Sequence, residues 1–164
     1  MALLDEQLVE EWLNRNGYFT MRGIKVGVDE IDLLALRYIN DVADYIHIEV
    51  QVSYRPIGYI GGDTNARKRT ADEIKAGVAQ WVEKKFTSAR KIEKRNAIAP
   101  NANWDCTLVH GVLRDETELE YMRELGVNTV SYKEVLNFLQ TDKTNQSSSA
   151  ASSIVDMLKF MQEK

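Results

Sequence analysis

Two acidic β-type segments within residues 29–53 constrain the fold of this chain more than any other feature. The second segment alternates between apolar and polar residues, which is typical of a strand with one buried face. Its apolar face holds Ile46, Ile48, Val50 and Val52, and its polar face holds Tyr45, His47, Glu49, Gln51 and Ser53. The first segment places Asp32 in the run Ile-Asp-Leu-Leu-Ala-Leu, and apolar residues on both faces indicate a buried strand.

The two segments predict a pair of facing carboxylates. If they pair antiparallel across residues 37–44, Leu36 lies opposite Tyr45. Counting inward then places Asp32 opposite Glu49. Two carboxylates in directly opposite positions repel each other and would weaken a purely structural hairpin. A cation between them would make the arrangement favourable, so the pattern predicts a metal site; the alternative is that each carboxylate is paired with arginine or with backbone donors.

The composition is that of one ordinary globular domain. The chain has 164 residues, which is long enough to bury a full core. Hydrophobic residues make up 44% of it and charged residues 28%. We expect no membrane span, because no apolar run approaches the roughly 20 residues that cross a bilayer. We expect no signal peptide, because the amino terminus lacks a basic segment followed by an apolar one. The single cysteine, Cys106, argues against a disulfide or a cysteine-based zinc cluster, and a cytoplasmic location is favoured.

Positive charge is concentrated in residues 67–95. This segment has ten Lys or Arg against four Asp or Glu, a local charge of +6, whereas the whole chain has −4, so the remainder carries −10. A basic surface beside an acidic site suits a protein that binds a polyanion, because local potential rather than net charge guides such a partner. The alternative is a solvated lysine-rich helix without a partner.

Periodicity and turn signals predict helices and strands with an antiparallel start and a parallel end. A main domain is predicted over residues 1–140, followed by a serine-rich linker over 141–153 and a C-terminal amphipathic helix within 154–164. A glycine-rich loop over 54–66 follows the acidic strand, and substrate contacts often collect in such loops. The predicted helices are 3–16, 70–86, 88–99, 116–125 and 132–140, and the predicted strands are 18–21, 28–36, 45–53, 105–113 and 127–131.

This order of elements and acids resembles the PD-(D/E)xK nuclease superfamily over residues 3–140. The resemblance implies the restriction-endonuclease-like fold, a three-layer α/β/α sandwich with a central mixed five-stranded sheet. Glu6, eleven positions before Gly17, resembles the first-helix glutamate of resolvase-like members. Asp32 resembles the metal-ligating aspartate of the superfamily, and Glu49 resembles the first acid of its (D/E)xK element.

The resemblance implies a DNA endonuclease that depends on Mg²⁺ or Mn²⁺. Asp32 and Glu49 would bind the metal through their carboxylates and Val50 through its backbone carbonyl, while Glu6 would assist. Mg²⁺ held by one or two carboxylates supplies an activated water and compensates charge on the phosphate. A homodimer is implied by analogy with nucleases that cut both strands. The DNA contacts expected are Arg55, Tyr59, Arg67, Lys68, Arg69, Lys84 and Lys85.

Position 51 departs from the superfamily pattern. The superfamily carries lysine there, which orients the attacking water and stabilises developing charge, whereas Gln51 offers a neutral amide. Some members cleave with glutamine or glutamate at this position, others have lost activity, and a few supply the basic group from a neighbouring helix. We expect Gln51 to orient the water, with Lys75 or Lys68 supplying the charge. Two alternatives remain: an inactive nucleic-acid-binding or structural protein on this fold, and an unrelated α/β protein with incidental acids.

Overall fold

In the computed structural model of the chain, a five-stranded mixed sheet lies between two layers of helices. The structure describes residues 4–52, 69–111, 116–144 and 149–162. The strands are β1 (Phe19–Val26), β2 (Asp29–Ile39), β3 (Val42–Gln51), β4 (Trp104–His110) and β5 (Val127–Ser131). The helices are α1 (Leu4–Arg15), α2 (Ala71–Val82), α3 (Ala89–Ile98), α4 (Thr117–Glu124), α5 (Tyr132–Thr141) and α6 (Ala150–Gln162), and a π-helical turn (Glu83–Thr87) continues α2.

The strands follow one another across the sheet in chain order. The pairs β1–β2 and β2–β3 are antiparallel, whereas β3–β4 and β4–β5 are parallel. Side chains of α1, α5 and α6 pack on one face of the sheet, and side chains of α2 and α4 pack on the other. The predicted α/β architecture with a mixed five-stranded sheet is therefore confirmed.

The hairpin of β2 and β3 has the predicted register but a shorter connection. Leu36 lies opposite Tyr45, as predicted, but the strands continue to the pair Ile39 and Val42. Asn40 and Asp41 alone make the turn, with φ values of 50° and 62°. Asn and Asp adopt this left-handed conformation more readily than most residues, so the turn can be tight. The predicted eight-residue break was wrong because the polar residues on either side of the turn remain paired.

Helix α6 begins at Ala150, four residues before the predicted helix. The hydroxyl of Ser149 accepts a hydrogen bond from the Ser152 backbone N–H at 3.0 Å, which is the geometry of an N-terminal helix cap. The serine run predicted as linker therefore includes the cap and first turn of a helix. Helix α6 packs on α1 and α5 through Ala151 and Val155, which are 3% and 1% exposed.

A buried arginine also ties α6 to the rest of the domain. The Arg15 guanidinium donates to Glu11 Oε1 at 2.8 Å and to the Ser152 hydroxyl at 3.2 Å, and it pairs with Asp142 at 3.3 Å. These contacts join α1 to α6 and to the residue that follows α5. The C-terminal helix is thus part of the folded domain.

Replacing Val155 with alanine should lower the free energy of unfolding by about 2 kcal/mol, because it removes two buried methyl groups and leaves a cavity. Met157 on the same helix is 66% exposed, so Met157→Ala serves as the matched control and should change stability by less than about 0.5 kcal/mol. Urea denaturation of both variants measures the difference. Equal losses would mean that α6 does not pack on the domain through Val155.

Candidate active site

Asp32 and Glu49 lie on adjacent strands at one end of the β2–β3 ladder. The ladder ends here with the pair Leu33 and Ile48, and Asp32 and Glu49 follow as the next residues of their strands. There the Val50 backbone N–H donates to Asp32 Oδ2 at 2.8 Å. The carboxylate thus satisfies a backbone donor of the neighbouring strand, and this hydrogen bond holds the Asp32 side chain beside β3.

Three basic or neutral donors surround the Glu49 carboxylate, which is 1% exposed. The Lys85 ammonium contacts Oε2 at 2.7 Å, whereas the Lys91 ammonium at 2.8 Å and His47 Nε2 at 3.0 Å contact Oε1. Lys91 is itself 2% exposed, so it forms a fully buried ion pair with Glu49. The Lys85 side chain is 29% exposed and therefore reaches both Glu49 and the solvent.

These donors keep Glu49 ionised. Burial alone would raise the pKa of Glu49, but the His47 hydrogen bond and the charges of Lys85 and Lys91 outweigh it and lower the pKa to about 2. For Lys85, burial alone would lower the pKa, but the negative charges of Glu49, Asp32 and Asp29 raise it overall. The ammonium and the carboxylate therefore stabilise each other's charged forms.

The orientation of His47 is set by Arg95. Arg95 Nη1 lies 2.8 Å from His47 Nδ1, and because a guanidinium only donates, Nδ1 must be the accepting nitrogen. Nε2 then carries the proton and donates it to Glu49. Burial lowers the pKa of His47, although its hydrogen bond to Glu49 acts in the opposite direction. Arg95 thus orients His47, and His47 holds Glu49 in place through its hydrogen bond.

Compensation at Asp32 is weaker. Burial and the negative charge of Glu49 together raise the pKa of Asp32 to about 7, although the Val50 hydrogen bond and the charge of Lys85 act in the opposite direction. The charge of Glu6 also contributes to the rise, so the α1 glutamate is electrostatically coupled to Asp32. The ionised forms of Asp32 and Glu6 are therefore disfavoured in the absence of a cation.

Glu6 lies in the first turn of α1 and is 8% exposed. Burial raises its pKa, and the charges of Asp5 and Glu30 raise it further. Its Oε2 atom is buried and has no hydrogen-bond partner among the residues that the structure describes. Buried carboxylate oxygens are rarely left without a partner, so this atom is available to a ligand.

The π-helical turn after α2 positions Lys85. Such turns are rare and occur frequently at functional sites, because they change the direction of side chains within a helix. Phe86, which is 0% exposed, packs edge-on against the His47 ring with 4.9 Å between the ring centroids. This contact anchors the turn to β3, and the preceding residue, Lys85, reaches Glu49.

Several residues predicted from the sequence have other partners. The Lys75 ammonium lies over the Tyr121 ring, 4.9 Å from its centroid, and the basic groups on Glu49 are Lys85 and Lys91 instead. Arg69, a predicted DNA contact, forms an ion pair with Glu118. Lys85, also predicted as a DNA contact, is bound to Glu49. These partners belong to distant parts of the chain, so the sequence did not indicate them, and DNA contact by Arg69 and Lys85 stays a prediction.

Gln51 lies two residues after Glu49 on β3, opposite His110 of β4. Lys84 is exposed on the π-helical turn. The predicted contacts Arg55, Tyr59, Arg67 and Lys68 lie outside the described residues.

Sequence reasoning missed Lys91, Arg95 and His47 as members of the site. His47 lies on the same face of β3 as Glu49, which the strict alternation already showed. Lys91 and Arg95 are four residues apart and so share one side of α3. A basic pair with helical spacing near an acidic strand was the available signal, but it does not reveal which side of a helix faces the sheet.

The residues of this site suit an oxygen-coordinated divalent cation. No group of three or more His, Cys, Asp or Glu side chains in residues 4–52, 69–111, 116–144 and 149–162 is arranged around a common metal position. Mg²⁺ does not need such a group, since it is commonly bound by one or two carboxylates together with waters and substrate phosphate. The unpartnered oxygen of Glu6 and the raised pKa of Asp32 both indicate negative charge that a cation would neutralise. Asp32 and Glu49, with Val50 and Glu6 as additional oxygen donors, are the residues that would hold Mg²⁺ or Mn²⁺, and this site stays a prediction.

No family model and no curated protein matches this chain. Among solved structures, the crystal structure of AF1548, a protein of unknown function, is similar, with a TM-score of 0.50 and 13% sequence identity. The similarity covers 88% of this chain and 73% of AF1548. At this level of identity the likeness shows a shared fold only. In the part of the chain that the structure describes, none of the helices has the length and apolar character needed to cross a membrane.

Proposed function

We propose that this protein is a Mg²⁺-dependent DNA endonuclease of the PD-(D/E)xK type. The observation that carries the proposal is the Lys85 ammonium, which contacts Glu49 at 2.7 Å and is also electrostatically coupled to Asp32. The superfamily places a lysine at position 51, beside two carboxylates on strands, and this chain lacks that lysine. Lys85 supplies it from the π-helical turn.

Each side chain then has a chemical role. Asp32 and Glu49 would hold Mg²⁺ or Mn²⁺, which when bound stabilises the negative charge that develops on the phosphate. Lys85 would stabilise charge on the attacked phosphate, and Gln51 would orient the attacking water through its amide. Lys91, His47 and Arg95 would keep Glu49 ionised and correctly oriented. A homodimer acting in the cytoplasm would cut both strands of a duplex.

Replacing Asp32 with asparagine or Lys85 with methionine should reduce the rate of DNA cleavage by at least about 10²-fold, because each removes a charge that acts on the reacting phosphate. Plasmid and branched DNA, incubated with Mg²⁺, provide the substrates. Lys133 is an exposed lysine of α5, in the opposite helical layer, so Lys133→Met is the matched control and should cleave like the wild type. Cleavage retained by both site variants would rule out the proposed site.

A second candidate is a DNA-binding protein without nuclease activity on the same fold. It is favoured by one observation: both oxygens of Glu49 already accept bonds from lysine, so its charge is largely neutralised. The two candidates differ in a measurable way. Stable DNA binding by the wild type, with no cleavage under Mg²⁺ or Mn²⁺, would favour the second, and restoration of cleavage by Gln51→Lys would identify position 51 as the missing group.

A further inference from the structure

A groove of about 380 Å³ separates the β1–β2 turn from α3. Lys25 and Gly27 line one side of it, and Arg90, Glu93 and Lys94 line the other. Gly27 has a φ of +67°, and a Cβ at this position would lie 3.4 Å from Arg90 Nη1. The turn and α3 are therefore close enough for cations of both to act on one ligand.

The three cations of this groove form no ion pair with another described residue. Basic groups elsewhere in the described chain are mostly engaged: Arg22 with Glu10, Arg37 with Asp44, and Arg15 with Glu11. Lys25, Arg90 and Lys94 have no such partner in the described ranges. A concave surface with three free cations is a site of positive potential for an anionic partner.

Among the described residues, neither Glu30 nor Glu93 forms an ion pair with a cation of the groove. Glu30 lies directly opposite Lys25 in the β1–β2 ladder, but its Oε1 lies 3.5 Å from the position of a Cβ on Gly23. Its carboxylate therefore points along β1 toward Gly23 and is not ion-paired with Lys25. Glu93, the one acidic residue in the lining, faces three cations, so the groove keeps a net positive charge.

Helix α3 joins this groove to the candidate active site. Lys91 and Arg95 point inward and bind Glu49 and His47. Arg90 and Lys94 each precede one of these residues, so they form a second stripe with the same four-residue spacing. The second stripe faces the groove. A polyanion bound in the groove would therefore lie against the same helix that contacts Glu49.

We propose that this groove binds the phosphate backbone of duplex DNA that enters the candidate active site, an inference that rests on the proposed function. Phosphates are the groups that Lys and Arg contact without regard to sequence. None of the described residues that line the groove is aromatic, so they offer no stacking surface of the kind that single-stranded DNA uses. Its polar and small residues suit contacts to a backbone whose bases remain paired.

The test is the salt dependence of DNA binding by the double variant Arg90→Ala/Lys94→Ala. A labelled duplex is titrated with full-length protein while Ca²⁺ replaces Mg²⁺, so that binding is measured without cleavage. Loss of two phosphate contacts should reduce the slope of log K against log salt by about 1.8 and weaken binding roughly tenfold at moderate salt. The control is Lys133→Ala/Lys143→Ala, which removes two exposed lysines from the layer across the sheet and should leave the slope unchanged.

Circular dichroism shows whether the variants are folded, and Arg90→Glu provides a second, independent change at the groove. An unchanged slope in both groove variants would overturn the inference, as would an equal loss in the control or a loss confined to single-stranded DNA. The nuclease proposal is judged separately by cleavage with Mg²⁺. Wild-type protein that binds through the groove without cleaving would support the groove and contradict the nuclease assignment.

Discussion

Glu49→Gln should lower the free energy of unfolding by about 3–5 kcal/mol, because removing one member of a buried ion pair leaves an uncompensated charge in the interior. Lys91 is 2% exposed and would face a neutral amide instead of a carboxylate. Lys85 would lose the same partner but is 29% exposed, so water can replace part of the interaction. Most of the loss should therefore come from Lys91. Guanidinium denaturation of the purified variant measures the change.

Matched variants separate the buried ion pair from a general loss of charge. Glu10 pairs with Arg22, and their side chains are 23% and 30% exposed, so Glu10→Gln should cost less than about 1 kcal/mol. Adding Lys91→Met to Glu49→Gln removes the unpaired ammonium and should recover part of the lost stability, which gives a coupling energy of roughly 1–3 kcal/mol. A loss below about 1 kcal/mol for Glu49→Gln would show that Glu49 is not the anion that holds this cluster together.

Asp32→Asn should stabilise the metal-free protein above neutral pH, the opposite of its expected effect on cleavage. The pKa of Asp32 is about 7 in the folded protein, whereas an unfolded aspartate has a pKa of about 3.9. Below about pH 4 the Asp32 carboxyl is protonated in both the folded and the unfolded protein, so its ionisation does not lower the free energy of unfolding. As pH rises to 7 the unfolded chain releases the proton first, and the wild type loses stability. Above pH 7 the penalty is complete, on the order of 4 kcal/mol.

The stability difference between Asp32→Asn and the wild type should therefore grow between pH 4 and pH 8 in the presence of a chelator. Asparagine keeps an oxygen that can accept the Val50 N–H, so the hydrogen bond to β3 is preserved. Asp29→Asn removes the same charge from an exposed position on β2 and is the matched control. If the stability difference between the wild type and Asp32→Asn were the same at pH 4 and at pH 8, the raised pKa of Asp32 would be contradicted.

Mg²⁺ should reverse the advantage of the variant. A cation that binds only the folded protein stabilises it by mass action. Without metal, the ionised Asp32 carboxylate destabilises the folded protein, and the positive charge of the cation would remove this destabilisation. Thermal unfolding at pH 8 should show a rise in Tm with added Mg²⁺ for the wild type and little change for Asp32→Asn. Equal shifts in the two proteins would mean that the cation binds elsewhere.

The members of the buried ionic cluster differ in their exposure. Lys91 and His47 are buried and contact Glu49 directly, and the buried Arg95 contacts His47, so these three residues fix the position and charge of Glu49. Lys85 is the partly exposed member of the cluster. Under the proposed function, the enclosed partners would orient the carboxylate and Lys85 would contact the substrate phosphate.

The part of the site that the sequence could predict is local. Strict alternation in residues 45–53 identified the faces of β3, and antiparallel pairing across residues 37–44 gave the register that places Leu36 opposite Tyr45. Both depend on the period of two that every strand obeys. The position of Asp32 beside β3 followed from the same counting. These inferences required no knowledge of how helices pack.

The direction in which each basic side chain points, toward the sheet or away from it, could not be predicted in the same way. Residues 67–95 form a continuous positive segment in the sequence, yet Lys85 and Lys91 bind Glu49, Arg69 binds Glu118, and Arg90 lines an outer groove. Adjacent positions on a helix differ by about 100° in direction, so Arg90 and Lys91 diverge although they are neighbours. Charge counting along the chain does not distinguish an inward from an outward lysine.

The sequence by itself thus determined the acidic hairpin: two strands, their register and the proximity of two carboxylates. The tertiary structure alone decided which cations meet those carboxylates, because the π-helical turn and α3 are rotated by packing against a sheet that lies far away in the chain. Phe86 on His47 sets one of these rotations, and Lys91 on Glu49 sets the other. Glutamine at position 51 is a local feature of the sequence, whereas the contact of Lys85 with Glu49 depends on long-range packing.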